Sequence, residues 1–182
     1  MAAGASATTG GAIFSSASAA WANTPKRGGR LVCAGDQHGP ADTLDPILCT
    51  ASVDYWRGRM FYGKLVRLKD DLSWEPELAE EVLVNSDATK WTFKLRKGVE
   101  FHNGKTLNAD DVVYTLKRHL GPDTKSIGKS QMDMVSEVKK INEHEVEVNL
   151  ATPNADLVNS LGTFHFNVIQ DGVTDFSTAI GT

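Results

Sequence analysis

The chain has 182 residues, of which 41% are hydrophobic and 23% are charged, the composition of an ordinary globular protein with room for one domain and its core. Its formal net charge is −4, from 19 Lys and Arg against 23 Asp and Glu, with the two signs interspersed. Nucleic acid is therefore not expected as a partner, because binding to phosphates needs clustered basic side chains. No apolar run in the sequence is long enough to span a bilayer.

Residues 1–22 differ in composition from the rest, since they consist mainly of Ala, Gly, Ser and Thr and carry no charged side chain. Ala20-Trp21-Ala22 fits the small-x-small pattern of a signal peptidase site, with cleavage before Asn23. The basic region that begins such a leader is missing. Two interpretations are open at this point: a leader whose start codon has been placed too late, or a flexible linker. In both, residues 23–29 form a flexible entry and the folded domain covers 30–182.

The first predicted elements come before the most informative stretch. A strand is predicted over residues 28–34, and a polar loop follows over 35–41. Asp45 then precedes a proline, and its carboxylate can accept hydrogen bonds from nearby backbone amides. A helix over 53–62 carries aromatic side chains that can be buried against a sheet, and a strand over 63–68 follows it.

The stretch over 91–114 has the clearest pattern in the chain. Trp91, Phe93 and Leu95 alternate with polar residues, which indicates a half-buried strand. A Lys-Gly turn, a second short apolar alternation and an Asn-Gly turn follow, the last because Asn and Gly both tolerate positive φ. Asn108 then occupies the N-cap position of a helix, with two Asp residues in its first turn.

Four elements are predicted after this stretch. The capped helix should end at the Gly-Pro pair 121–122, and a hairpin should join arms over 135–141 and 145–150. Another helix should begin within 152–156. An apolar stretch over 164–169 is predicted to be the final strand.

The residues W-T-F-K-L-R-K-G-V-E-F-H-N-G-K-T-L-N-A-D-D-V-V, starting at Trp91, closely resemble the signature of the extracytoplasmic solute-binding proteins of peptide-type ABC importers. G-G-R-L at 28–31, T-L-D-P at 43–46 and I-G-T at 180–182 match the same family. The resemblance covers residues 28–182. It also favours the leader interpretation, because mature proteins of the family usually begin as this chain does after Ala22.

The resemblance implies an α/β fold, the N-terminal lobe of a two-lobe periplasmic-binding-protein type II-like fold, with a mixed sheet and flanking helices. It matches only the N-terminal part of the family pattern, which continues beyond I-G-T into a second lobe. The chain is therefore expected to be a fragment or a truncated gene product. The fragment alone should bind ligand weakly or not at all, because ligand is held between two lobes in this family.

In the resembled family, the segment after the D-P pair lies against bound ligand. Position by position, this implicates Cys49, Thr50, Ala51 and Ser52. Small residues let a ligand approach the backbone, and two of the four supply hydroxyl groups. The alternative is that Ser52 only caps the helix that follows it.

His165 and Asn167 lie on the predicted last strand, near where family members line the cleft, and complete the expected ligand-binding set. The histidines are dispersed and give no zinc pattern: His38, His102, His119, His144 and His165. No nucleophile, phosphate-loop or dinucleotide pattern is present, so neither an enzyme nor a cofactor is expected. Cys33 and Cys49 are equally compatible with a disulfide and with two separate thiols.

The function implied by the resemblance is that of the substrate-binding component of an ABC transporter. It would capture a peptide or a similar small solute in the periplasm, act as a monomer and dock in its closed form on a membrane permease. Two alternatives remain: a binding or sensor module of the same fold that is not coupled to transport, and a non-functional truncated fragment. A secreted hydrolase is disfavoured, because the sequence shows no catalytic constellation.

Overall fold

The structure, a computed structural model, describes residues 28–30, 32–37 and 39–182. The leader and cleavage site predicted over 1–22 lie outside the described residues, as does His38. The chain divides after Ala34, and the unit Gly35–Thr182 contains all the helices and strands of the described part.

The strand predicted over 28–34 is not formed at its described positions, 28–30 and 32–34. Gly28 and Gly29 have φ values of 83° and 117°. Strands need negative φ, so these two glycines cannot open one.

The elements of the second unit have the following bounds. The helices are α1 (Ser52–Phe61), α2 (Ala109–Lys117) and α3 (Leu157–Leu161), with 3-10 turns at Pro46–Leu48, Lys129–Met132 and Phe164–Phe166. The strands are β1 (Val66–Leu68), β2 (Trp74–Pro76), β3 (Ala79–Val84), β4 (Lys90–Leu95), β5 (Val135–Asn142) and β6 (Glu145–Leu150).

The main sheet has the strand order β3-β4-β6-β5, and β1 pairs with β2 in a separate two-stranded sheet. The α/β fold class is confirmed. Every ladder among the described strands is antiparallel, so the mixed sheet that we expected is not seen in this part of the chain. Short connections explain this for β1–β2, β3–β4 and β5–β6, because a parallel pair would need a crossover of a dozen or more residues.

Strand β4 lies inside the sheet, and Trp91, Phe93 and Leu95 are all buried. The alternation predicted for this strand is therefore confirmed. The predicted hairpin is also formed, because β5 and β6 pair across a two-residue turn. The second short alternation, after the Lys-Gly turn, forms only one bridge, between Glu100 and Thr106.

Helix α2 begins where the sequence predicts. The Asn108 side chain accepts hydrogen bonds from the backbone N–H groups of Asp110 (3.0 Å) and Asp111 (3.4 Å). In return, Asp111 Oδ2 accepts from Asn108 N at 2.9 Å, so that both ends of a capping box are present. The helix ends at Lys117, before the Gly-Pro pair that we expected to end it.

The prediction of a final strand over 164–169 is wrong. Phe164–Phe166 is a 3-10 turn, and beyond it Asn167 makes a single bridge to Lys64. Its apolar residues are buried by ring contacts instead, since Phe166 lies against His119 with centroids 4.4 Å apart. Alternating aromatic residues can satisfy burial in such a turn as well as in a strand, so the pattern alone did not decide the conformation.

Candidate functional site

Asp45 precedes the expected ligand-binding segment and is held by several hydrogen bonds. This carboxylate accepts a hydrogen bond from Ile47 N at 3.3 Å, as the sequence predicts. It also forms a two-contact ion pair with Arg118, whose Nη1 and Nη2 lie 2.8 Å and 2.6 Å from the two carboxylate oxygens. The short turn Pro46–Leu48 is held in this way, and residues 49–52 leave it toward α1.

Cys49 points into the protein and is 3% exposed. Its thiol donates to the Asp45 carbonyl oxygen at 3.4 Å. Burial, with added repulsion from the charges of Asp54 and Asp45, raises the pKa of Cys49 to about 12. The thiol is therefore protonated at neutral pH and is not a nucleophile. Cys33 and Cys49 are both free thiols.

Thr50 is exposed, and Ala51 and Ser52 are half-buried. The suggestion that Ser52 caps α1 is wrong, because Ala51 is the N-cap and Ser52 is the first helical residue. Asp54 replaces a capping side chain, since its Oδ2 lies 3.5 Å from Ala51 N. The Ser52 hydroxyl instead donates to Asp36 Oδ1 at 3.4 Å.

His165 is brought to this segment from 116 residues further along the chain. Its Nε2 lies 3.1 Å from the Cys49 carbonyl oxygen. A carbonyl oxygen can only accept, so Nε2 carries the proton and Nδ1 is a bare acceptor. Nδ1 is buried and has no hydrogen-bond partner in the described part of the chain. Burial also lowers the pKa of His165, which keeps the ring neutral.

Asn167 provides a second buried acceptor. The residue is 2% exposed, and its Nδ2 donates to the Phe164 carbonyl oxygen at 3.0 Å. Its Oδ1 has no partner among the described residues. Gly58 of α1 makes room for this side chain, because a Cβ there would lie 2.8 Å from Asn167 Nδ2.

Aromatic rings surround His165. The centroid of the Tyr55 ring lies 3.8 Å from that of Phe164 and 6.0 Å from that of His165. The Tyr55 and His165 rings meet edge to face. Phe164 also contacts His165, with centroids 4.5 Å apart. The sequence assigned Tyr55 only to core packing. Its place beside His165 could not be inferred, because it depends on the 3-10 turn that replaces the expected strand.

The structure thus brings together Cys49, His165 and Tyr55, with Thr50 at the surface. A groove of about 530 Å³ is lined by none of the predicted site residues. Its lining residues are Arg59, Arg67, Leu68, Lys69, Asp70, Asp71 and Glu75. Within the described residues, no group of three or more His, Cys, Asp or Glu side chains could hold a metal ion. No helix in the same residues is long and apolar enough to cross a membrane.

Comparison with known proteins places this arrangement in a family. Residues 73–182 match the model of the bacterial extracellular solute-binding proteins, family 5. The chain is 29% identical to the oligopeptide-binding protein AppA of Bacillus subtilis over 85% of its length, and 30% identical to the dipeptide-binding protein of Escherichia coli over 79%. Only 28% and 30% of those two proteins are covered.

Solved structures agree with this result. The binding protein AgaA of A. tumefaciens R10, in complex with agropinic acid, matches with a TM-score of 0.68 and 28% identity over 72% of this chain and 27% of its own. The AppA structure, in complex with a nonapeptide, matches with a TM-score of 0.62 and 28% identity over 69% of this chain and 24% of its own. The chain spans less than a third of the length of these relatives. Because the family model matches more than half of its residues, the chain belongs to the bacterial extracellular solute-binding proteins, family 5.

Proposed function

We propose that this chain is part of the substrate-binding component of an ABC importer and that it captures a peptide or a similar small solute. Its family and relatives are binding proteins rather than enzymes, and two relatives are named as oligopeptide- and dipeptide-binding proteins. Capture would take place in the periplasm, by a monomer that delivers its solute to a membrane permease.

The observation that carries the ligand class is the pair of buried acceptors, His165 Nδ1 and Asn167 Oδ1. An unpaired buried acceptor costs about 1–3 kcal/mol, so native proteins seldom keep one without a reason. A ligand that donates N–H groups would recover this cost when it binds. Peptides carry such donors along their backbone, and so do the amino groups of other small solutes.

The segment from Cys49 to Ser52 would form the other side of the contact. Thr50 is exposed and offers a hydroxyl, while Ala51 leaves the backbone accessible. Cys49 and Ser52 would support the site without touching the solute. The Cys49 carbonyl oxygen orients the His165 ring, and the Ser52 hydroxyl is hydrogen-bonded to Asp36. In this arrangement Thr50 is the accessible contact, and the buried acceptors of His165 and Asn167 meet the solute only when the residues that cover them move aside.

The test is titration of the complete binding component that contains this chain with pools of di- and tripeptides, followed by tyrosine and tryptophan fluorescence. We expect saturable binding, and we expect Thr50→Val to weaken it about fivefold, the value of one lost hydrogen bond. Thr152→Val is the matched control, because Thr152 is also exposed but lies in the loop after β6. Equal affinities for both variants, or no response to any peptide, would contradict the proposal.

Coupling to transport needs a separate measurement. Cells that carry the gene should take up the peptide that binds best in vitro, and cells in which the gene is deleted should not. Binding without any difference in uptake would favour the sensor module over the import component.

A further inference from the structure

Lys64 is a buried cation between α1 and β1. The residue is 9% exposed, and its backbone is fixed on both sides: its N–H donates to Glu77 Oε2 at 3.3 Å, and its carbonyl accepts from Leu78 N at 2.9 Å. Among the described residues, no carboxylate oxygen lies within the 4.0 Å of Nζ that would make an ion pair. Glu77 is the acidic neighbour whose charge acts on Lys64, but its Oε2 accepts from the Lys64 backbone N–H and makes no ion pair with the ammonium.

Other charges near Lys64 increase the positive potential. Burial lowers the pKa of Lys64; the charge of Glu77 opposes this, while Arg59 and Arg67 lower it further. Arg67 is already bonded to Glu75 at the surface. Arg59 projects from α1 and is exposed, so its guanidinium and the Lys64 ammonium are the two cations with which an incoming group would interact.

Two small cavities adjoin this lysine. One has a volume of about 120 Å³ and is lined by Arg59, Tyr62, Lys64, Arg67 and Glu77. The other has a volume of about 180 Å³ and combines the same two cations with an apolar wall: Arg59, Lys64, Leu68, Gly162, Thr163 and Phe164. Gly162 and Leu68 pack closely in this wall, since a Cβ on Gly162 would lie 2.7 Å from Leu68 Cγ.

We propose that the cavity between Lys64 and Phe164 binds a carboxylate group carried on a short apolar chain. The carboxylate would lie against Lys64 Nζ and the Arg59 guanidinium, which supply charge-assisted hydrogen bonds. The hydrocarbon would lie against Leu68 and Phe164. A phosphate group fits less well, because the apolar wall offers few hydrogen-bond donors.

This site adjoins the contacts proposed for His165 and Asn167, since Lys64 forms a β-bridge with Asn167, and Phe164 contacts His165. Its argument uses other groups and does not rest on the proposed function. Binding of the carboxylate would give the Lys64 ammonium an ion-pair partner and would raise its pKa back toward the ordinary value. Affinity should therefore decrease at high pH, as Lys64 loses its proton.

The experiment is a titration of the 15N-labelled chain with sodium butyrate at constant ionic strength, followed by NMR at the amides of Gly162 and Thr163. Butyramide is the uncharged match, and inorganic phosphate is the alternative anion. We expect butyrate to shift these amides saturably and butyramide to leave them unchanged. Equal shifts with butyramide, or tighter binding of phosphate than of butyrate, would overturn the carboxylate assignment.

Variants then assign the charge. Lys64→Met keeps the length of the side chain and should weaken butyrate binding by about tenfold or more, as expected for a lost charge-assisted bond. Lys69→Met is the control, because Lys69 is exposed and lines neither cavity. If Lys64→Met does not fold, Arg59→Gln at the helix surface should still weaken binding. Unchanged affinity in either folded variant would exclude the site.

Discussion

His119 shows at the level of one residue how burial fixes a charge state. Its ring is fully buried, lies against Phe166 and has Nδ1 2.6 Å from Ser126 Oγ. Burial, with smaller contributions from the positive charge of Arg118 and from the neighbouring His165, lowers the pKa of His119 to about 3. The folded protein therefore holds His119 neutral at pH values where the unfolded chain would protonate it.

This depressed pKa predicts a loss of stability in mild acid. An unfolded histidine binds its proton near pH 6.5, so the free energy of unfolding should decrease as the pH falls from about 6.5 toward 3. Between pH 7 and pH 5 the contribution of His119 is about 2 kcal/mol. Urea unfolding at both pH values should show this loss in the wild type and a loss smaller by that amount in His119→Gln. Equal losses in the two proteins would mean that His119 is not held neutral.

Helix α2 shows how a local sequence signal specifies an element. Asn108 and Asp111 bond reciprocally across the first turn, and Asp111 also accepts from Asp171 N at 2.8 Å and from the Lys105 ammonium. Val112 and Leu116 then face the core. The cap positions the start of the helix, and the apolar face determines which side packs on the sheet.

Removal of the cap should destabilise the protein without changing its fold. Asn108→Ala leaves the N–H groups of Asp110 and Asp111 without their acceptor, which should decrease the free energy of unfolding by about 1 kcal/mol. Asn108→Asp is the matched control, because a carboxylate accepts the same two hydrogen bonds and its negative charge is stabilised by the positive end of the helix dipole. Urea titrations of both variants measure the difference. An alanine variant as stable as the aspartate variant would show that the cap is dispensable.

At the scale of the whole molecule, the Asp45–Arg118 pair joins parts of the chain that are 73 residues apart. It connects the turn that begins the predicted ligand segment to the end of α2. Both side chains are largely buried, with exposures of 9% and 18%. The pair thus ties the turn before the segment from Cys49 to Ser52 to the C-terminal end of α2.

Breaking this pair should cost far more than breaking a surface pair. Asp45→Asn leaves the Arg118 charge without its partner in a largely buried place, and we expect a loss of about 2–4 kcal/mol in the free energy of unfolding. Glu75→Gln, which breaks the exposed pair with Arg67, is the control and should change stability very little. Similar losses for both variants in urea unfolding would show that burial of the Asp45 pair adds nothing.

The sequence by itself determined the family, the α/β class and the elements whose signals are local. The alternation of β4, the Asn108 cap and the β5–β6 hairpin each depend on neighbours a few residues away. The sequence pattern alone therefore predicts them. Two residues of the predicted site, Cys49 and His165, lie in contact in the structure.

Only the tertiary structure decided what depends on distant partners. The 3-10 turn at Phe164–Phe166, where a strand was expected, follows from ring contacts with Tyr55 and His119, which are far away in the sequence. Among the described residues, the acceptors of His165 and Asn167 have no partner and the Lys64 ammonium forms no ion pair, and these properties likewise depend on surroundings assembled from separate segments. Burial and pairing are set by folding, and no spacing along the chain encodes them directly.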